Sequence, residues 1–204
     1  RFLKARKKDG FLNVISIFSF IGISLGVAVL IIVMSVMNGF RTELINKIVG
    51  FNSHITVKTY GKPIDGKKIN KKNLKLISEN IIFSNSGEAI ILKNNTSKGI
   101  MLRGYKADDF SSLEIVKNDK FKGYKNRLNK NFISIGNELS FSLDLKIGDE
   151  LTLMSPSGVE TIIGSMPKQK TFLVASIYNS GLAEFDKNIA FINLRTLEDF
   201  FDLE

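Results

Sequence analysis

Three short stretches place reactive residue types at a spacing that invites chemistry. Gly22-Ile23-Ser24-Leu25-Gly26 matches the G-x-S-x-G elbow of serine hydrolases, which needs a strand-to-helix turn beside a histidine and an acid. Here the pentapeptide lies inside an uninterrupted apolar run, and the one histidine is His54. The same residues read as Gly22-x-x-x-Gly26, a spacing that lets a second helix backbone approach closely in lipid, so Ser24 is expected to be structural. Gly61-Lys62-Pro63-Ile64-Asp65-Gly66-Lys67-Lys68 is one residue short of a P-loop. Lys68 stands where a Ser or Thr would hold magnesium, and Pro63 and Asp65 spoil a loop that must offer backbone amides to phosphate.

Other candidates are weaker. Asn94-Asn95-Thr96 and Asn95-Thr96-Ser97 are glycosylation sequons only in a eukaryotic secretory route. His54 stands alone, and Asp108, Asp109, Glu184 and Asp186 have no evident partner for acid–base work. The absence of cysteine excludes a disulfide scaffold, a thiolate zinc site and a cysteine nucleophile. The expectation is a non-catalytic chain that binds no cofactor and no metal of its own.

The elements around these residues explain why. Gly10 to Phe40 is a run of 31 residues without Asp, Glu, Lys, Arg or His, where about 20 suffice to cross the hydrocarbon core. The preceding tail, Arg1 to Asp9, carries five basic residues against one acid. By the positive-inside rule the N-terminus is expected in the cytoplasm and residues 41–204 outside it. Leu44, Ile45, Ile48 and Val49 continue the helical stripe to about Gly50. Of the 29 basic residues 23 are lysine, a balance that disfavours the bidentate arginine contacts of nucleic-acid readers, so no nucleic-acid partner is expected. The chain starts at Arg1, as a piece of a longer protein would.

Residues 51–204 read as an α+β domain in two blocks, 51–131 and 132–204. Alternation predicts a strand over His54–Tyr60, a helix near Asn70–Asn80, and a hairpin of Glu88–Lys93 with Lys98–Gly104 turning at Asn94 and Asn95. Residues 117–131, with six basic residues against Asp119, read as a solvated loop or as a segment near anionic headgroups. Strands are predicted at Phe132–Ile135, Glu150–Met154 and Ile189–Asn193, helices at Asn137–Leu143 and Arg195–Leu203, and a turn at Gly148-Asp149. Pro156 predicts a turn, followed by a strand to Ile163, a second turn through Gly164 and Pro167, and a strand over Thr171–Tyr178.

Two segments carry a family resemblance. Val33-Met34-Ser35-Val36-Met37-Asn38-Gly39-Phe40-Arg41-Thr42-Glu43-Leu44, preceded by Phe18 to Ala28, resembles the first membrane helix of the lipoprotein-releasing ABC permeases LolC and LolE. Gly164-Ser165-Met166-Pro167-Lys168-Gln169-Lys170-Thr171-Phe172 resembles the segment that follows the periplasmic hook of those permeases and separates them from relatives of the MacB and FtsX type. The resemblance implies one transmembrane helix followed by a MacB-like periplasmic α+β domain, in the bacterial inner membrane. It implies three further membrane helices outside this chain, a second permease subunit forming a homo- or heterodimer, and a separate ABC ATPase subunit that carries ATP and Mg. The activity implied is release of lipoprotein substrates from membrane lipid to a periplasmic lipoprotein chaperone. The alternatives are an FtsX- or MacB-like mechanotransmitting permease acting on a cell-wall hydrolase or efflux partner, and a single-span sensor.

The resemblance also implies site residues, centred on a hairpin over Ser155–Lys170. Ile162, Ile163, Gly164, Met166 and Pro167 map to the chaperone-binding hook and its base, and Gln169 and Lys170 to a supporting pad. Two large apolar residues beside a turn suit an exposed anchor; tucking of both isoleucines into the domain is the alternative.

Overall fold

The computed structural model describes residues 10–51, 53, 55–58, 64, 69, 71–78, 80–93, 96–125, 128, 129, 131–161 and 164–203. The basic tail, His54, Asn94, Asn95, Ile162 and Ile163 lie outside the described residues, as do all residues of the P-loop-like stretch except Ile64. The chain divides into two compact units, Arg1–Ile48 and Val49–Glu204.

The first unit is dominated by one helix, α1, Gly10–Phe51. Its stretch Val14–Ile45 has a mean hydropathy of 2.8 and is long and apolar enough to cross a membrane. Forty-two helical residues span roughly 63 Å at about 1.5 Å each, twice the hydrocarbon thickness of about 30 Å. Charges return only at its C-terminal end, where Glu43 and Lys47 pair at 3.4 Å across one helical turn.

The second unit contains α2 (Lys71–Leu74), β1 (Asn85–Lys93), β2 (Thr96–Tyr105), α3 (Ala107–Ser112), α4 (Glu114–Lys117) and β3 (Lys122–Gly123). It continues with β4 (Phe132–Gly136), α5 (Asn137–Ser142), β5 (Glu150–Thr161), β6 (Gly164–Tyr178), α6 (Ala183–Asn188), β7 (Ile189–Asn193) and α7 (Leu194–Phe201). The seven strands form one sheet in the order β3-β6-β4-β7-β2-β1-β5, and β5 also pairs with β6, so the pairing closes on itself. Strands from before and after residue 132 interleave: β2 lies beside β7 in parallel register, and β1 beside β5 in antiparallel register.

Strand alternation assigns the two sheet faces to two cores. In β7, Ala190 and Ile192 join a cluster with Ile91, Leu102, Ile133, Leu153, Val174, Leu197 and Phe200. Ile189 and Phe191 face the other way, into a cluster with Tyr105, Phe110, Val116, Leu128 and Tyr178. Covered on both faces, β7 is an apolar run rather than an alternating one. In the same sheet the buried Ser176 hydroxyl donates to the buried Ser134 hydroxyl oxygen at 2.8 Å.

Several expectations need correction. Among the described residues of His54–Tyr60 there is no strand, and Ile55 and Val57 are exposed. The helix expected near Asn70–Asn80 is the single turn α2. No turn interrupts the chain at Pro156 or between Gly164 and Pro167: β5 runs on to Thr161 and β6 starts at Gly164. A register shift between Met154 and Gly158 absorbs the proline as an irregularity in the ladder. The closing helix starts one residue early and ends at Phe201 rather than Leu203, because Asp202 adopts a left-handed conformation that caps it.

Candidate functional site

The longest strand pair, β5 with β6, outruns the sheet that supports it. β1 covers β5 only at Thr152, Leu153 and Met154, and β4 covers β6 only from Phe132↔Leu173 onward. Beyond those points each strand has the other as its sheet partner, as far as Thr161↔Gly164. Ile162 and Ile163, which follow Thr161 in the sequence, lie outside the described residues.

Pro167 explains part of this geometry. It lies opposite Gly158, within the segment of β6 that, among the described residues, pairs with β5 alone, and proline lacks the amide that a central strand would need. The proline thus marks where the ribbon leaves the sheet. Next to it Met166 is 60% exposed, on a strand whose root holds fully buried Phe172 and Val174. A polarizable, unbranched side chain in that position suits a contact surface that must adapt.

Alternation separates the two residues assigned to the pad. Gln169 is exposed, opposite Met154, and its amide Nε2 reaches toward Met154 Sδ at 4.0 Å. On the same face Thr152 and Thr171 hydroxyls meet at 3.1 Å across the strands. Lys170 points to the opposite face, opposite Leu153, and its ammonium lies 5.6 Å from the centre of the Phe172 ring. Lys168 shares that second face and was not singled out by sequence. Its Nζ donates to Asp202 Oδ1 at 2.7 Å and to the backbone carbonyl of Asp199, both at the C-terminal end of α7. Those partners are more than thirty residues away along the chain, so no local pattern announces them.

The remaining candidates lie outside the ribbon. Gly22 and Gly26 have open space within 4 Å of where a side chain would begin, as does Gly39 on the same helix. Asp186 is buried; its carboxylate accepts from the amide of Ser180 at 2.9 Å and from its hydroxyl at 2.6 Å. Burial raises its pKa despite those hydrogen bonds. Tyr178, buried beside it, donates to the carbonyl of Ile189 at 2.8 Å, and burial pushes its phenol well above the usual range. Glu184 accepts from Asn188 at 3.2 Å. Among the described residues no group of three metal-ligating side chains converges.

The family model for the MacB-like periplasmic core domain matches residues 16–203. The chain belongs to that family. Within it, the likeness to the LolC and LolE permeases extends far beyond the two motifs. The lipoprotein-releasing system transmembrane protein LolC of Xylella fastidiosa strain Temecula1 is 26% identical over 209 residues, covering 100% of this chain and 50% of the relative. LolC of Neisseria meningitidis serogroup B is 27% identical over 213 residues, with coverage of 100% and 50%. LolE of Haemophilus influenzae is 25% identical over 165 residues, covering 76% of this chain and 39% of the relative. The chain therefore spans about half the length of the LolC relatives it matches. The extracellular domain of the ABC-type transporter YknZ from Gram-positive bacteria aligns at 13% identity and a TM-score of 0.38, over 59% of this chain and 57% of that one.

Proposed function

We propose that the chain is the first half of a permease subunit that releases lipoproteins from the bacterial inner membrane, with α1 crossing the bilayer, the N-terminus cytoplasmic and the β-rich unit periplasmic. The reading rests on membership of the MacB-like family, on likeness to LolC over the whole chain, and on an apolar helix that precedes an α+β domain in the sequence. The subunit carries out no covalent chemistry of its own. A separate ABC ATPase supplies the energy, and a second permease subunit, identical or related, completes the transmembrane pathway, which is packed through the Gly22 and Gly26 face.

The observation that carries the hand-off step is the ribbon of β5 and β6, with Met166 exposed and Ile162-Ile163 lying between the two strands in the sequence. A lipoprotein carries acyl chains whose burial is worth about 0.8 kcal/mol per methylene, so a released molecule must pass directly into another apolar cavity. A two-stranded hairpin ending in large apolar residues is a means of holding that receiving chaperone in place, with Gln169 on the outer face as a polar contact. A few such residues supply most of an interface's free energy, at about 2 kcal/mol or more each.

The test is release from proteoliposomes holding the full-length permease with its ATPase. On addition of ATP, lipoprotein should appear in the soluble fraction bound to the chaperone, and Ile162→Asp with Ile163→Asp should abolish its appearance while ATP hydrolysis persists. Undiminished release by that folded double variant would refute the hook. ATP-dependent activation of a cell-wall hydrolase without any lipid release would favour the mechanotransmitting alternative.

A further inference from the structure

We infer that Lys168 is the positioning residue of the hairpin: its ammonium, shared between the Asp199 carbonyl and the Asp202 carboxylate, fastens the ribbon where it leaves the sheet to the C-terminal end of α7. The inference rests on the proposed docking role of the hairpin, and deepens it.

The physical need is evident in the pairing. Past Met154 the ribbon has two strands, and an isolated two-stranded hairpin is marginal in water. Without an anchor its end would sweep a wide arc, and each docking event would have to select one orientation. α7 is a firm post for an anchor. Leu194, Leu197 and Phe200 fix it to the core, Asn193 caps its N-terminus by accepting from the Arg195 amide at 3.1 Å, and Phe200 meets Phe172 of β6 edge to face at 6.4 Å. Its last turn presents carbonyls at the end of the helical ladder, of which that of Asp199 accepts from Lys168, and the negative end of the helix dipole favours a cation. Asp202, at φ 51°, is the left-handed cap, and that conformation brings its carboxylate to the same ammonium. One side chain therefore links ribbon, helix end and cap. The lysine side chain is 35% exposed, so water screens the ion pair only in part and the carbonyl contact adds direction.

Full-length permease in nanodiscs, with its parent sequence and with Lys168→Met, Lys168→Arg, Asp202→Asn and the exchange Lys168→Asp with Asp202→Lys, provides the test. Asparagine tolerates the left-handed cap, so Asp202→Asn removes charge without removing the conformation. Two quantities are read: amide hydrogen exchange over residues 164–170, and affinity for the purified periplasmic lipoprotein chaperone. Lys168→Met should speed exchange about threefold to tenfold and weaken affinity by a similar factor; Asp202→Asn should do less, Lys168→Arg little, and the exchange variant should regain part of the loss. Unchanged exchange in Lys168→Met overturns the inference. So does faster exchange with undiminished affinity, provided Ile162→Asp with Ile163→Asp still abolishes binding. If that double variant binds like the parent, the docking role itself fails, and the clasp is left as a purely structural contact.

Discussion

Gln169 and Lys170 are adjacent in β6 but face opposite sides of the ribbon: one amide reaches toward Met154 Sδ at 4.0 Å on the solvent side, the other residue's ammonium lies 5.6 Å from the Phe172 ring centre on the core side. The two residues of the expected pad are therefore predicted to act differently. Gln169→Ala should weaken chaperone binding about tenfold and leave stability unchanged, as loss of one interfacial contact does. Lys170→Ala should leave binding within about twofold and cost the folded domain about 0.5 kcal/mol through the lost cation–ring contact. Binding titrations beside urea denaturation separate the two; equal loss of affinity would mean that both residues reach the partner.

Gly136 ends β4 against α6. A methyl group built there would lie 2.0 Å from the Asp186 carbonyl oxygen and 2.4 Å from its Cα, atoms that cannot move without shifting the helix. Gly136→Ala should therefore destabilise the domain by about 3 kcal/mol, at the upper end for overpacking. Gly148→Ala, with open space but a φ of 97°, should be destabilising through backbone conformation alone. Urea midpoints of the two variants measure this; a neutral Gly136→Ala would mean that α6 is not seated on β4 as described.

The Asp186 carboxyl gives a pH signature. Burial raises its pKa above the ordinary 3.8, so the folded state holds a proton there at a pH where the unfolded chain does not. Its contribution to stability accordingly grows as pH falls through the raised value and is complete below 3.8. Relative to Asp186→Asn, the parent should gain stability between pH 7 and pH 4. Parallel pH profiles for the two proteins would show that the carboxyl is not perturbed.

In α1 the packing reading of the glycines predicts a contrast between neighbours. Ser24→Ala preserves a small side chain and should leave complex assembly and lipoprotein release intact. Gly26→Leu places a bulky group on a face that has open space in this chain, and should reduce recovery of the assembled complex several-fold. Co-purification of the ATPase with each variant reports this; lost release in an assembled Ser24→Ala complex would contradict the packing role.

Much of the fold was legible in local signals. β4 and β7 were found because their apolar runs are bounded by turn and helix residues, and the β1–β2 hairpin because its strands flank two asparagines. The ribbon was misread as three pieces because Pro156 and Pro167 ordinarily mark turns. Pro167 is tolerated because no further strand lies beside it among the described residues, a matter of topology rather than of neighbours in sequence. α3, α4 and α6 are too short to show helical periodicity, and their placement depends on Phe110, Val116 and Phe185 reaching the second core. The alternating His54–Tyr60 segment misled in the opposite direction, since alternation alone supplies no strand partner. Lys168 was invisible as a clasp for the same reason that Gly136 was invisible as a close contact: both roles are set by residues 31 or more positions away.

The central claim, that the β5–β6 hairpin docks a periplasmic chaperone, is tested most directly by site-specific photocrosslinking in cells expressing the full-length permease. A photoreactive residue replacing Met166, which is 60% exposed on the ribbon, should form an adduct with the lipoprotein chaperone, and the same residue replacing Phe141, which is 86% exposed on α5, should not. An adduct from the Phe141 position, or none from the Met166 position in a release-competent permease, would contradict the account.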